Sequence, residues 1–154
     1  SGRMVGMPVI REQDMDKGRK AWDAWRRAAK QDAEPGQQYE GATGTKSAAQ
    51  RLEANPDLPR PTWAMAVRYT LFLLERKAPG PGVEVRVAPW GAIKILDGPA
   101  SDPHNLTPPD VIELDPEVWL RLAAGITTWA EEKAAGHITA VGERDDLSDL
   151  LPLA

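Results

Sequence analysis

The sequence predicts an α+β fold, with a mainly antiparallel open sheet covered by helices on one face and a helical extension at the N-terminus. Apolar residues recur at three- and four-residue spacing in several segments, which is typical of amphipathic helices. Val83, Val85 and Val87 alternate with charged residues at the two-residue period of a strand. The predicted order is helices, three strands, two helices, a strand and a short helix. Such grouping favours α+β over an alternating parallel α/β fold.

Composition narrows the class of protein. The chain has 154 residues, six Trp, no Cys and a net charge of −4. A chain of this length buries roughly 70% of its unfolded surface, so we expect one domain with its own core. The absence of Cys excludes a disulfide scaffold, a thiolate metal site and a cysteine nucleophile, and the acidic balance argues against nucleic-acid binding.

No apolar run approaches the roughly 20 residues of a membrane-spanning helix. No secretory leader opens the chain, so we expect a cytoplasmic protein without an integral membrane segment.

Residues 1–60 are predicted to form a helical extension and a proline-rich connector, ahead of a domain at 61–154. A helix from about Met15 to Lys30 carries an apolar stripe at helical spacing. The stripe comprises Ala21, Trp22, Trp25, Ala28 and Ala29. After a polar segment at 31–45, a shorter helix at 47–54 is expected to bury Ala48, Ala49 and Leu52. The tryptophan stripe can pack on the core or on another subunit, so a homo-oligomer formed through this helix is one expectation.

The longest predicted helix runs from about Thr62 to Lys77. One face of this helix is apolar and comprises Ala64, Val67, Leu71, Leu74 and Ala78. The segment 79–82 (PGPG) is predicted to stop the helix and turn the chain. Its two prolines and the missing Lys-Ser/Thr ending exclude a phosphate-binding loop. Strands at 83–87 and 92–96 then predict an antiparallel hairpin around a break at Trp90.

A third strand is predicted at 111–114, directly before a helix with strong boundary signals. Asp115 supplies an acceptor cap, and Pro116 suits the first helical position. This helix is expected to end at Gly125. Its buried face is predicted to comprise Val118, Trp119, Leu122 and Ala123.

The last predicted elements are a helix, a strand and a short helix. Thr128 and Glu131 match a capping box, which opens the first of these helices. The strand follows at 138–142. Asp145 or Asp146 is then expected to cap a final helix, which carries Leu147, Leu150 and Leu151.

The sequence contains no catalytic, cofactor-binding or metal-binding pattern. His104 and His137 each lack a second His at helical spacing, so neither predicts a metal site. No nucleophile elbow is present, and the Ser, His and Asp of the loop at 98–109 are too close along the chain to form a triad. Glu113 and Asp115 share one face, which indicates a solvent-facing strand and a helix cap. We therefore predict a protein that is not an enzyme and needs no cofactor.

Four stretches of the second half resemble the sterol carrier protein family, closest to the small actinobacterial orthologues of that family. They are VRYTLFLL (67–74), PGPGVEVRVAPWGAIKILDGP (79–99), VIELDPEVWLRLAAG (111–125) and AAGHITAVGERDDLSDLLPL (134–153). Gly125, Gly136 and Gly142 match the glycines that flank the last helices and strand in the family. The resemblance covers about residues 60–154.

This resemblance implies an open, mostly antiparallel sheet with helices over one face and an apolar tunnel between the layers. The family usually has five strands, so the chain would have four to five, with the additional strand in 98–109. The resemblance also implies non-covalent binding of fatty acids, acyl thioesters or sterols. A related architecture forms the C-terminal domain of mycothiol-dependent maleylpyruvate isomerases, but the matching His set is missing here, so we do not expect that activity.

The predicted function is therefore binding or transfer of a lipid or other apolar ligand in a cavity between helices and sheet. The predicted walls are Val67, Leu71, Leu74, Val85, Val87, Trp90, Ile93, Ile95, Trp119, Leu122, Trp129, Leu147, Leu150 and Leu151. Arg68 or Arg86 is expected to meet a polar head group. The alternative is the same fold without a tunnel, filled by its tryptophans and serving as an interaction or oligomerisation module.

Overall fold

The computed structural model describes residues 7–33, 47–98 and 110–153. Within these ranges the helices are α1 (Met15–Ala33), α2 (Ala48–Arg51), α3 (Arg60–Lys77), α4 (Pro116–Ala124) and α5 (Trp129–Ala134). The strands are β1 (Pro79–Val87), β2 (Gly91–Ile95), β3 (Asp110–Leu114) and β4 (Ile138–Val141). Short 3-10 turns lie at Glu12–Asp14 and Ser148–Leu150. The predicted α+β class with an N-terminal helical extension is confirmed.

The four described strands form one open mixed sheet in the order β2-β1-β3-β4. β1 pairs antiparallel with β2, β3 pairs antiparallel with β4, and β1 pairs parallel with β3. Two of the three pairings are antiparallel, as expected. The proposed position of a fifth strand lies almost wholly in 99–109, outside the described residues.

The alternation along β1 sends two kinds of side chain to opposite faces of the sheet. Val83, Val85 and Val87 are fully buried on the face that carries the helices. Glu84 and Arg86 lie on the other face, where they pair in register with Lys94 and Glu113 of the neighbouring strands, among others. The sheet therefore contributes its apolar face to the core and presents charges on the other.

The segment 79–82 is strand, so the prediction of a turn is wrong there. β1 begins at Pro79, and both Pro79 and Val83 pair with Ile95, which marks a register shift between them. Proline cannot donate to a ladder and is tolerated at the first residue of a strand or at a bulge. At Gly80, φ is +152° and an added Cβ would lie 2.0 Å from the Leu96 carbonyl oxygen. The proline and glycine residues at 79–82 therefore form an irregular beginning of β1.

The N-terminal helix packs along α3. Trp22 and Trp25 of α1 are buried in the same apolar cluster as the sheet valines. Gly18 permits the close approach, because an added Cβ would lie 2.8 Å from the Cβ of Tyr69. The tryptophan stripe thus packs on the core of its own chain, one of the two outcomes expected for it.

Helix boundaries follow the sequence signals with some corrections. Thr128 Oγ1 accepts a hydrogen bond from the Glu131 backbone N–H at 3.2 Å, and Glu131 Oε1 accepts one from the Thr128 N–H at 3.0 Å, which confirms the capping box. Gly125 ends α4 in the left-handed region with φ 78°. Asp115 has the backbone conformation of a cap but makes no side-chain cap hydrogen bond. Its carboxylate is exposed to solvent instead.

Two further expectations need correction. The short helix at 47–54 is one turn, α2, and buries none of its residues. The predicted final helix is a 3-10 turn, in which Asp146 accepts a hydrogen bond from the Ser148 backbone N–H at 2.8 Å. Only Leu147 of its three leucines is fully buried. Both segments are too short to sustain the α-helical ladder that their patterns predicted.

Candidate functional site

The structure brings the predicted wall residues into one apolar cluster between the helices and the sheet. The buried members are Val67, Leu71, Leu74, Val85, Val87, Ile93, Ile95, Trp119, Leu122, Trp129 and Leu147. The partly buried members are Trp90, Leu150 and Leu151. Periodicity was enough to select neighbours in the core. That these residues hold a ligand stays a prediction.

The interface of α3 with α4 is closed by a buried hydrogen-bond chain. Trp119 Nε1 donates to Thr70 Oγ1 at 2.8 Å, and this hydroxyl donates to backbone carbonyl oxygens of α3, at 2.7 Å for Ala66 and 2.9 Å for Val67. Both side chains are fully buried. The apolar periodicity of α3 gave no sign of this bond. The chain fixes Trp119 in one orientation against α3.

A cavity of about 270 Å³ lies where α4 and α5 meet the C-terminal tail. Its walls are Leu122, Gly125, Thr127, Thr128, Trp129, Ser148, Leu151 and Pro152. Leu122, Trp129 and Leu151 are predicted wall residues. The tail that borders it is attached by the Leu153 backbone N–H, which donates to the Ala123 carbonyl at 2.9 Å, and by Lys77 Nζ, which donates to the Leu150 carbonyl at 2.7 Å.

Trp129, which borders this cavity, has an unsatisfied indole N–H. The side chain is 5% exposed, and Nε1 is sealed from solvent without a hydrogen-bond acceptor. The same is true of Trp25 Nε1 in α1. A buried donor without a partner costs about 1–3 kcal/mol relative to one that is satisfied. Trp129 therefore differs from Trp119, whose indole N–H is bonded to Thr70.

The two arginines predicted to meet a head group lie apart. Arg68 of α3 donates from Nε to the Trp90 carbonyl at 3.1 Å, at the turn between β1 and β2. Arg86 lies on the opposite face of the sheet from Val85 and pairs with Glu84 and with Glu113, the latter at 3.2 Å. Arg86 also borders a cavity of about 300 Å³ that Glu113, Asp115 and His137 share, among others.

Behind that second cavity lies a buried charge pair. Arg121 is 3% exposed and Glu132 0% exposed, with Nε 2.8 Å and Nη2 3.1 Å from the two carboxylate oxygens. Thr127 Oγ1 donates to Glu132 at 2.6 Å, and His137 Nδ1 lies 2.7 Å from it. Arg121 also donates to the Ala54 carbonyl at 3.0 Å, which fastens the connector before α3.

This network lowers the pKa of Glu132. Burial acts to raise the pKa of Glu132, but the hydrogen bonds from Arg121, Thr127 and His137 outweigh it, so the pKa lies below its usual value. Helical periodicity did not predict the network, although an Arg within the apolar run WLRLAA was a signal that a buried partner exists. Within the described ranges, no three acidic or His side chains are arranged to hold a metal ion.

The other four tryptophans form a row that runs from α1 to the hairpin turn. Ring centroids are 6.1 Å apart for Trp22 and Trp25, 5.7 Å for Trp25 and Trp63, and 6.5 Å for Trp63 and Trp90. The guanidinium of Arg60 lies 5.3 Å from the Trp90 ring centroid. Ring stacking, edge contacts and the cation–π contact with Arg60 stabilise the packing of these side chains. This row packs the extension onto the core.

Comparison with protein-family models identifies a family. A family model described as a bacterial SCP ortholog, where SCP denotes sterol carrier protein, matches residues 59–153, more than half of the chain. A comparison with curated proteins finds none that matches. Of the helices in the described parts of the chain, none combines the length and the apolar character needed to cross a bilayer.

Proposed function

The chain belongs to the bacterial sterol carrier protein ortholog family, and from that membership we propose that it binds or transfers a lipid or other apolar ligand without catalysing a reaction. The family indicates lipid binding or transfer in general. The proposed ligands are fatty acids, acyl thioesters or sterol-like molecules. The proposed location is the apolar layer between the helices and the sheet, with the fourteen wall residues named above.

One observation carries this proposal furthest. The cavity of about 270 Å³ beside the tail is bordered by three of the proposed wall residues, Leu122, Trp129 and Leu151. These three side chains also belong to the apolar cluster or pack against it. Transfer of each ligand methylene from water into such surroundings contributes about 0.8 kcal/mol. An acyl chain therefore gains affinity there without specific polar contacts.

Arg68 is the better supported of the two proposed head-group residues. It lies on α3, the helix that provides Val67 and Leu71 to the cluster, and its Nε is held by the hairpin turn. Arg86 projects from the other face of the sheet and is already paired with two carboxylates. A ligand that meets Arg86 would have to leave the apolar layer.

A titration of the full chain with a 16-carbon fatty acid bearing a fluorescent label tests the proposal. We expect saturable binding of one probe per chain, transfer of the probe between vesicles, and recovery of the probe chemically unchanged. The surface variant Val141→Ser, at a side chain 64% exposed on β4, is the matched control and should bind equally. A folded chain, verified by circular dichroism, that shows no saturable binding of this probe or of a short apolar ligand would overturn the proposal.

The second candidate function is an interaction module without a ligand tunnel. The observation that favours it is the packing of α3 on the sheet, where Val67, Leu71 and Leu74 are fully buried and the nearby indole and hydroxyl of Trp119 and Thr70 satisfy each other. Self-association through α1 belongs to this candidate. Because Trp22 and Trp25 are buried against the chain's own core, it would require exchange of α1 between copies. Light scattering that shows a stable dimer in a lipid-free sample would favour this candidate.

The division of the chain at residue 60 and a cytoplasmic location are also proposals. The bacterial SCP ortholog match begins at residue 59, which supports the boundary. The tryptophans of α1 nevertheless belong to the same apolar cluster as the sheet. If the division holds, residues 61–154 expressed alone will unfold cooperatively. We expect lower stability than in the full chain, because the surface that α1 covers becomes exposed.

A further inference from the structure

A groove lies at β2, the last strand on one side of the described sheet, where the segment before α1 passes close to the C-terminal half of α3. Its volume is about 590 Å³. The walls are Met7, Pro8, Glu75, Glu84, Ala92, Ile93 and Lys94. Ile93 belongs both to the apolar cluster and to the fourteen proposed wall residues. The groove therefore adjoins the layer in which an apolar ligand is proposed to bind.

The segment at 7–10 forms one wall of this groove and is anchored by its own apolar side chains. Ile10 is 4% exposed, and Val9 packs against the apolar cluster. Gly91 leaves room for Val9, because a Cβ added at position 91 would lie 2.9 Å from Val9 Cγ2. Met7 belongs to this anchored segment and is 90% exposed. An apolar side chain so exposed beside a groove gains contacts when an apolar chain lies in the groove.

The charged side chains of the groove are divided between the two sides of the sheet. Glu84 and Lys94 are register partners on the outer face, and Glu84 also pairs with Arg86. Glu75 belongs to α3, on the helix side. Within the described parts of the chain Glu75 makes no hydrogen bond and no ion pair, and neither of its carboxylate oxygens is sealed from solvent. On the helix side, the groove therefore presents one accessible carboxylate without a cation.

The surroundings of Glu75 favour a cationic partner. Partial burial disfavours the ionised form and raises the pKa of the Glu75 carboxyl. A carboxylate that has lost part of its hydration is stabilised by a nearby cation and destabilised by a second anion. An ammonium group is therefore favoured there over a fatty-acid carboxylate. At roughly 30 Å³ for each water-sized group, a groove of about 590 Å³ holds on the order of twenty non-hydrogen atoms, enough for an amine with a medium-length alkyl chain.

We propose that this groove binds an amphiphile with a primary amine head group, whose ammonium pairs with Glu75 while its alkyl chain lies between Met7 and Ile93. The inference rests on the proposed apolar-ligand function and specifies the head group at one site. The apolar walls provide affinity for the chain. Glu75 provides discrimination between a cationic and an anionic head group.

Calorimetric titrations of the full chain with decylamine, decanol and sodium decanoate test the choice of head group, because the three probes have the same chain length. The titrations are carried out at neutral pH, below the concentrations at which micelles form. We expect saturable binding of decylamine and at least tenfold weaker binding of decanoate. With methionine methyl groups labelled with carbon-13, decylamine should shift the Met7 signal, which Met7→Leu assigns by its disappearance. The signal of Met65, which does not border the groove, should stay in place.

Three variants separate the ion pair from apolar packing. Glu75→Gln should weaken decylamine binding about tenfold, near the lower limit for a lost hydrogen bond to a charged group, and should leave decanol affinity unchanged. Glu117→Gln is the matched control, because Glu117 is also partly buried but does not border the groove. It should leave all three affinities unchanged. Met7→Ser should weaken decylamine and decanol by the same factor, about threefold, since it removes only apolar surface. Circular dichroism verifies that each variant is folded.

The outcomes separate this site from the general function. If the labelled 16-carbon fatty acid binds but decylamine does not shift the Met7 signal, the site proposal fails and the lipid-binding proposal stands. The site proposal also fails if decanoate binds as tightly as decylamine, or if Glu75→Gln leaves decylamine affinity unchanged. If neither the fatty acid nor any of the three short probes binds to the folded chain, both proposals fail.

Discussion

The core around α3, where this helix meets the sheet and α4, and the region between α5 and the C-terminal tail both bury a tryptophan, but the two indole N–H groups have opposite environments. Trp119 donates to Thr70 at 2.8 Å, whereas Trp129 has no acceptor and borders a cavity of about 270 Å³. Burial alone does not separate the two regions, since both rings are almost wholly inaccessible. Hydrogen-bond satisfaction does separate them, because the Trp119 indole N–H is paired and the Trp129 indole N–H is not.

The largest expected effect concerns the charge pair that supports the tail region. Thr127 lines the tail cavity and also donates a hydrogen bond to Glu132, so this residue connects the charge pair with the cavity wall. Arg121→Met leaves Glu132 buried without its cation and should reduce the free energy of unfolding by about 3–5 kcal/mol. Urea unfolding monitored by circular dichroism measures this. Arg19→Met, at an exposed side chain, should change it by less than about 0.5 kcal/mol, and a loss of similar size in both variants would contradict the account.

The next effect compares packing in the two regions with the same substitution. Leu71→Ala removes a fully buried side chain between α3 and the sheet and should cost about 3 kcal/mol. Leu151→Ala, at a partly buried side chain beside an existing cavity, should cost about 1 kcal/mol or less. Thermal unfolding of both variants gives the comparison. Equal losses would mean that the tail side is packed as tightly as the α3 side.

A matched pair of indole substitutions sharpens the contrast further. Trp119→Phe leaves the Thr70 hydroxyl without its buried donor and should cost about 2 kcal/mol. Trp129→Phe loses ring contacts, but it also removes a buried donor that has no acceptor. Because these two effects oppose each other, the free energy of unfolding should change by less than about 0.5 kcal/mol. Chemical unfolding of the ligand-free variants measures both. The interpretation is wrong if Trp129→Phe proves the more costly change.

The smallest effect is a pH dependence at the start of α5. The hydrogen bonds from Arg51, above all, lower the pKa of Glu131 from 4.5 to about 2. Since the folded pKa is the lower one, the stabilisation is complete above the unfolded pKa and is lost as the pH falls through the folded value. With allowance for solvent screening, Glu131→Gln should cost about 1 kcal/mol at neutral pH and almost nothing near pH 2.

Urea midpoints of the wild type and of Glu131→Gln across this pH range check the prediction. Glu53→Gln, at an exposed side chain in the connector before α3, serves as the control and should lower stability at neither end of the range. A stability difference for Glu131→Gln that stays constant from neutral pH to about pH 2 would contradict the pairing with Arg51.

Local signals predicted much of the fold, because they act over a few residues. The Thr128–Glu131 box and the glycine at position 125 set helix ends through neighbouring backbone groups. The segment at 79–82 was misjudged because its strand pairing depends on Leu96 and Ile95, which lie some distance along the chain. The parallel pairing of β1 with β3 depends on contacts of the same long-range kind.

The candidate site was predicted less completely than the fold. Apolar periodicity selected Leu122, Trp129 and Leu151 as wall residues, and they do border one cavity. Periodicity does not reveal whether an indole N–H meets an acceptor, because the acceptor comes from a different element. The pairing of Arg121 with Glu132 was missed for the same reason, as it joins α4 to α5.

The most direct test of where a ligand binds is photo-crosslinking of the full chain with a short methyl ester that carries a diazirine group. Mass spectrometry of the digested protein then locates the labelled residues. The account predicts labels on the peptides that contain Leu122, Trp129 and Leu151, which decrease when methyl hexanoate competes. Labels confined to the peptides of α1 and α2, which contain none of the fourteen proposed wall residues, would contradict it.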